Sequence, residues 1–183
     1  MNSAEFRYVC TFGRTEPLSL QYIIINKGNI MNKRRINVRG IIWRDGKLLA
    51  VKHKRSDGSE TDYWAIPGGG LDPHESLHAG VIRELIEETG IAAQAGPLLF
   101  VQQFNSKRAD CAEELEFHFH ITNTEDFAII DLAKTTHGTE EISRIEFIDP
   151  RKEYILPRFI SDIDIASYIH TAQPVYLFNE LGE

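Results

Sequence analysis

The stretch from Pro67 to Ile91, PGGGLDPHESLHAGVIRELIEETGI, constrains the fold more than any other part of the chain. Three consecutive glycines leave a backbone with no side chains of its own to pack, suited to turns and close approach. A helical pattern follows. The spacing predicts a helix from about Glu75 to Thr89, because Leu77, Val81 and Leu85 recur four residues apart with Ile82 and Ile86 beside them. Gly90 suits the left-handed position that ends such a helix. The apolar stripe needs a partner surface. On another side stand Glu84, Glu87 and Glu88, and like charges at this spacing cost about 0.2–0.5 kcal/mol per pair. They also crowd the end of the helix that carries partial negative charge. The helix gains nothing from the arrangement, so a positive charge from outside it must compensate.

Strand signals surround this unit. INVRGIIW and KLLAVKHK are β-rich runs joined by Arg-Asp-Gly, which predicts a hairpin. YWAIP reads as a short strand ending at Pro67, with Gly68 to Gly70 as irregular backbone after it. PLLFVQQF, LEFHFHIT and EEISRIEFID are further strands, and RFISDIDIASYIHT is a closing helix on a stripe of Phe159, Ile160, Ile163, Ile165 and Ile169. Residues 1–30 are read as an extension ahead of a domain at 31–183. Two readings of it stand: an extra strand from LQYIIINKG, or a non-native start upstream of Met31.

Gly69, five residues, Glu75, seven residues and then RELIEETGI match the pattern G-x5-E-x7-R-E-U-x-E-E-x-G-U, where U is bulky and apolar. Gly69, Glu75, Arg83, Glu84, Leu85, Glu87, Glu88, Gly90 and Ile91 fill every fixed position. The chain thereby resembles the Nudix hydrolase family, and YWAIPGG resembles the usual lead-in. The resemblance implies an α/β fold, an α/β/α sandwich with a mixed β-sheet. It also implies hydrolysis of a nucleoside diphosphate linked to a further group X.

Mg2+ is the expected cofactor, with Mn2+ as a substitute. A hard cation takes carboxylate oxygens while keeping waters, so Glu84, Glu87 and Glu88 are the expected ligands, joined by the Gly69 carbonyl. Arg83 is expected to orient the carboxylates rather than clamp substrate. The resemblance implies that Glu84, Glu87 and Arg83 serve catalysis. As general base Glu87 ranks first, followed by Glu141 or Glu114.

Lys52 and His53 end a strand that faces the substrate in this architecture, and Trp64 offers a surface for base stacking. For each the plainer reading, a solvated strand end or a core aromatic, stands beside the functional one. His118 and His120 share a strand face but lack a third ligand, so zinc is rejected. His74 departs from the family's glycine before Glu75. Cys10 and Cys111 form neither a CxxC pair nor a disulfide framework, which favours reduced thiols and a cytoplasmic protein.

A net charge of −7 argues against a nucleic-acid polymer as partner, and no apolar run is long enough for a membrane span. The expected partner is a nucleotide-sized substrate, with a homodimer open. Among substrates, nucleoside tri- and diphosphates lead. Nucleotide sugars and ADP-ribose follow, the latter weakened by the missing proline about fifteen residues after the Gly69–Ile91 pattern, the box of this family. The lead-in differs from the forms associated with RNA-cap and dinucleoside-polyphosphate enzymes. A noncatalytic nucleotide-sensing module is the alternative of another class, disfavoured by the intact box. An enzyme of broad tolerance is a third.

Overall fold

The structure is a computed structural model, described here for residues 33–136, 138–171 and 175–180. The expectations for residues 1–30, including Cys10, lie outside those residues. In chain order the strands and helices are β1 (Arg34–Ile41), β2 (Trp43–Arg44), β3 (Lys47–His53), β4 (Trp64–Ala65), β5 (Gly68–Gly70) and α1 (Leu77–Thr89). There follow β6 (Ala95–Asn105), β7 (Glu113–Ile121), α2 (Gly138–Glu141), β8 (Ile142–Ile148) and β9 (Ile155–Leu156). The last are α3 (Phe159–Asp162), α4 (Ile165–His170) and β10 (Tyr176–Glu180).

The strands form two mixed sheets, one ordered β10-β6-β7-β1-β5 and the other β2-β3-β4-β9, with β8 on the free side of β3. The α/β class therefore holds. In the first sheet β1 runs parallel to β7 and antiparallel to β5, with Val38 opposite Gly69. The predicted hairpin forms, turning at Asp45 and Gly46, both at positive φ. Only Trp43 and Arg44 belong to it, however. Residues 34–41 leave for the other sheet, so one apolar run serves two sheets.

Two apolar clusters hold the layers together. Val81 and Leu85 of α1 pack with Val38, Leu49, Phe119 and Ile121, and this is where the helical stripe is buried. On the other side of β1, Ile41 joins Trp64, Ile66, Phe100, Phe159 and Ile165. The alternation of β1 thus sends Val38 toward α1 and Asn37, Arg39 and Ile41 away from it.

Four boundaries depart from the sequence reading. Gly68 to Gly70 is a strand, because its backbone pairs with β1. α1 begins at Leu77 rather than Glu75: the Ser76 side chain accepts the Ala79 N–H, which leaves Glu75 just outside the first turn. Glu140 and Glu141 end the short helix α2 instead of opening a strand. The closing helix is two pieces, broken where Ile163 takes an extended conformation, and β10 beyond it adds an edge to the first sheet beside β6.

Candidate functional site

The glycine strand and α1 meet face to face. A Cβ built on Gly69 would stand 2.5 Å from Glu84 Oε2, so no other residue leaves that carboxylate its place. At Gly68, φ is 127° and a Cβ would fall 2.2 Å from the Val38 carbonyl oxygen, so glycine is required there on two counts. The Gly68 N–H donates to Glu88 Oε2 at 2.8 Å. Two of the three box glutamates are therefore held against β5.

Glu88 is 4% exposed. Burial pushes its carboxyl up to about 8, although the field of Arg39 and the Gly68 hydrogen bond pull the other way. Burial also raises Glu84, opposed by its hydrogen bond from Arg83. In both, removal from water disfavours the charged form.

Arg83 supplies positive charge here. Its guanidinium donates to Glu75 Oε1 and Oε2 at 2.9 Å each, to Glu84 Oε1 at 2.8 Å, to Glu87 Oε2 at 3.2 Å and to the Gly70 carbonyl at 2.9 Å. These bonds raise its own pKa and lower that of Glu75. One side chain thus ties the loop before the helix, the glycine strand and two box glutamates together.

Arg39 has no place in the motif, yet it belongs to this group. It donates to the carbonyls of Ile66 and Gly68, just before and within the glycine strand. It also pairs with buried Glu116 of β7, Nη2 to Oε1 at 2.8 Å. Burial works against charge on both, but each outweighs it for the other: Arg39 is raised and Glu116 lowered. Asn37 extends the polar strip, donating to Glu114 Oε2 at 2.7 Å. The signal in the sequence was polar residues at alternate positions in two apolar strands, Asn37 and Arg39 in one, Glu116 and His118 in the other. It becomes readable only once those strands are known to pair.

The remaining candidates divide. His53 lies near the site: burial lowers its pKa and the positive field of Arg39 adds to it. Glu141 is close enough for its charge to raise Glu88, and its carbonyl accepts the Lys54 N–H at 2.8 Å. Glu114 has both oxygens engaged, one by Asn37 and the other by Ser106 Oγ at 2.6 Å. Lys52 is tied to Glu60 at 3.2 Å. Trp64 requires a correction. It is 3% exposed and packed in the core, with Lys52 and Arg144 over its ring at 5.3 and 5.0 Å. A ring covered in this way offers no open face for a base to stack on.

The donor set suits a hard divalent ion. Glu84, Glu87 and Glu88 offer carboxylate oxygens, two of them held against the glycine strand. As placed, no three His, Cys, Asp or Glu side chains among the described residues converge tightly enough to enclose an ion by themselves.

A family model described as the NUDIX domain matches residues 33–162. The chain belongs to the NUDIX family. Membership carries the reaction class, so this NUDIX protein is a hydrolase acting on phosphoric anhydride bonds. It is 30% identical over 136 residues to the RNA pyrophosphohydrolase of Erythrobacter litoralis, a match covering 66% of this chain and 78% of that protein. It is 45% identical over 60 residues to the CTP pyrophosphohydrolase of Escherichia coli, covering 32% of this chain and 43% of that one. The second match therefore spans less than half of its relative. The solved E. coli ORF135 protein shares the fold with a TM-score of 0.57 at 22% identity, covering 78% of this chain and 95% of that one.

Proposed function

We propose that this NUDIX protein is a Mg2+-dependent pyrophosphohydrolase of nucleoside tri- or diphosphates. The observation that carries the reading is the pair Glu84 and Glu88, pressed against the glycine strand and raised by burial. Structural burial of carboxylates destabilises a fold, and such shifts cluster where a site is built for charge. The similarity to an RNA and a CTP pyrophosphohydrolase supports attack on a phosphate chain.

Glu84, Glu87 and Glu88, with the Gly69 carbonyl, would hold the ion. When bound, Mg2+ offsets negative charge developing on the phosphoryl oxygens and lowers the pKa of coordinated water. Arg83 keeps Glu84 and Glu87 on the side of α1 that faces β5, and Arg39 fixes the carbonyls that shape β5. For the residue that takes the proton from water, Glu87 stands first and Glu141 second. Glu114 falls behind both because its two oxygens are already accepting hydrogen bonds.

The test is a panel of nucleoside tri- and diphosphates, nucleotide sugars and ADP-ribose with Mg2+, run on the native protein and on Glu88→Gln. Release of phosphate or pyrophosphate by the native protein is expected to fall at least about 100-fold in the variant, the scale of losing one charge-stabilising group. Retained secondary structure would show that the fold survives. Near-native turnover by Glu88→Gln at saturating Mg2+ would refute the site.

A further inference from the structure

Beside the glycine strand lies a cleft of 680 Å3 whose lining includes Glu84 at one place and Lys33, Arg34 and Arg35 at another. Its acids are already partnered. Glu75 and Glu84 bond Arg83, Asp72 lies 3.8 Å from Arg83 Nε, and Asp110 pairs with Arg108 at 3.2 Å.

The basic wall is less committed. Arg34 is paired with Glu113. Arg35 donates only from Nε, to Asn37 Oδ1 at 2.6 Å, although its charge also reaches Asp110 and helps to lower that carboxyl's pKa. Among the described residues its two Nη nitrogens donate to nothing, and the Lys33 ammonium makes no hydrogen bond or ion pair. Both cations line the cleft with donors to spare.

Their position relative to the glutamates follows from β5. A Cβ on Gly70 would meet Arg35 Nη2 at 2.7 Å, as one on Gly69 would meet Glu84 Oε2 at 2.5 Å. Neighbouring strand residues are about 3.3 Å apart along the chain. Successive strand residues face opposite ways, so Glu84 and Arg35 approach β5 from its two faces, and it is the cleft beside this edge strand, lined by both, that gives a single phosphate chain access to the two. A planar guanidinium with two free nitrogens is suited to grip phosphate in a bidentate manner.

We infer that Arg35 and Lys33 bind the negatively charged end of group X, so that the site selects chains of three or more phosphates over diphosphates whose X is neutral. This rests on the pyrophosphohydrolase reading above. It separates nucleoside triphosphates, and other triphosphate ends, from nucleotide sugars by the charge that X carries.

The experiment compares the native protein with Arg35→Gln/Lys33→Gln on a nucleoside triphosphate and on a nucleotide sugar. It also follows binding of inorganic tripolyphosphate and pyrophosphate, with Mg2+, to Glu88→Gln with and without the same two changes. The expected result is a rise of at least tenfold in KM for the triphosphate, with kcat and the nucleotide-sugar kinetics little changed. Tripolyphosphate binding should weaken by a similar factor and pyrophosphate much less. Arg35→Lys should recover only part of the loss, because it restores the charge without the fork. Equal losses on both substrates, or none on either, would overturn the assignment.

The two readings can fail separately. A native protein inactive on every compound whose tripolyphosphate binding still needs Arg35 and Lys33 would sink the enzymatic reading alone. An active one indifferent to both changes would sink the present inference alone.

Discussion

His74 stands at φ 66°, a left-handed conformation that costs a non-glycine residue about 1–2 kcal/mol. Glycine adopts this conformation without that cost. The chain must reverse there to leave Glu75 outside α1 and in contact with Arg83. Glycine would remove the strain but add chain entropy of about 0.5–1 kcal/mol. His74→Gly is therefore expected to raise stability by up to about 1 kcal/mol in urea unfolding, with kcat unchanged. A loss of stability would mean that the imidazole makes a contact worth more than the strain.

The other residue-scale test concerns His118, fully buried with neither ring nitrogen hydrogen-bonded. Burial pushes its pKa down to about 4, opposed by Glu116 and aided by Arg39. The folded state thus refuses a proton that the unfolded chain accepts near 6.5. Because the folded pKa is the lower one, stability falls as pH drops from about 6.5 toward 4, by on the order of 2–3 kcal/mol. Urea unfolding at several pH values should show a steeper acid loss in the native protein than in His118→Phe. Parallel curves would contradict a neutral buried imidazole.

At the scale of elements, the site depends on β5 being held from two sides. From α1, Arg83 grips the Gly70 carbonyl and Glu88 accepts the Gly68 N–H. From β1, Arg39 binds the Ile66 and Gly68 carbonyls while neutralising Glu116. Arg39→Met removes those grips and leaves a buried carboxylate without its cation, which costs about 3–5 kcal/mol. Adding Glu116→Leu should recover most of the stability, since the stranded charge is gone, but not the activity, since the carbonyls of β5 stay unheld. A double-mutant cycle in urea and in kcat measures both. Recovery of activity along with stability would show that Arg39 does nothing for the glycine strand. The cap of α1 is a smaller lever: Ser76→Ala should cost about 1 kcal/mol by thermal unfolding, through the lost Ala79 bond.

For the molecule as a whole, the two sheets decide what the box helix faces. α1 packs its stripe on the first sheet through Val38, Phe119 and Ile121. The polar strip of Asn37, Arg39 and Glu116 runs on the opposite side of β1, toward the second sheet. β5 lies at the edge, touched by both layers, and so the glutamates of one layer meet the arginine of the other across a strand without side chains. No helix among the described residues is long and apolar enough to cross a membrane.

Sequence alone determined what is local. The box, the apolar stripe of α1, the cap at Gly90 and the Asp-Gly hairpin each lie within a contiguous stretch, where period and residue chemistry suffice. Helix starts and breaks were less legible: the start is set by the Ser76 cap, and the apolar period gives no sign of the break at Ile163. Tertiary structure decided the rest. Arg39 and Glu116 are 77 residues apart and meet only through the parallel register of β1 and β7. Trp64 is buried among residues of distant strands and helices, with Arg144 over its ring. The upward shift of Glu88 and the basic wall of the cleft are likewise products of burial and neighbourhood, which no local pattern encodes.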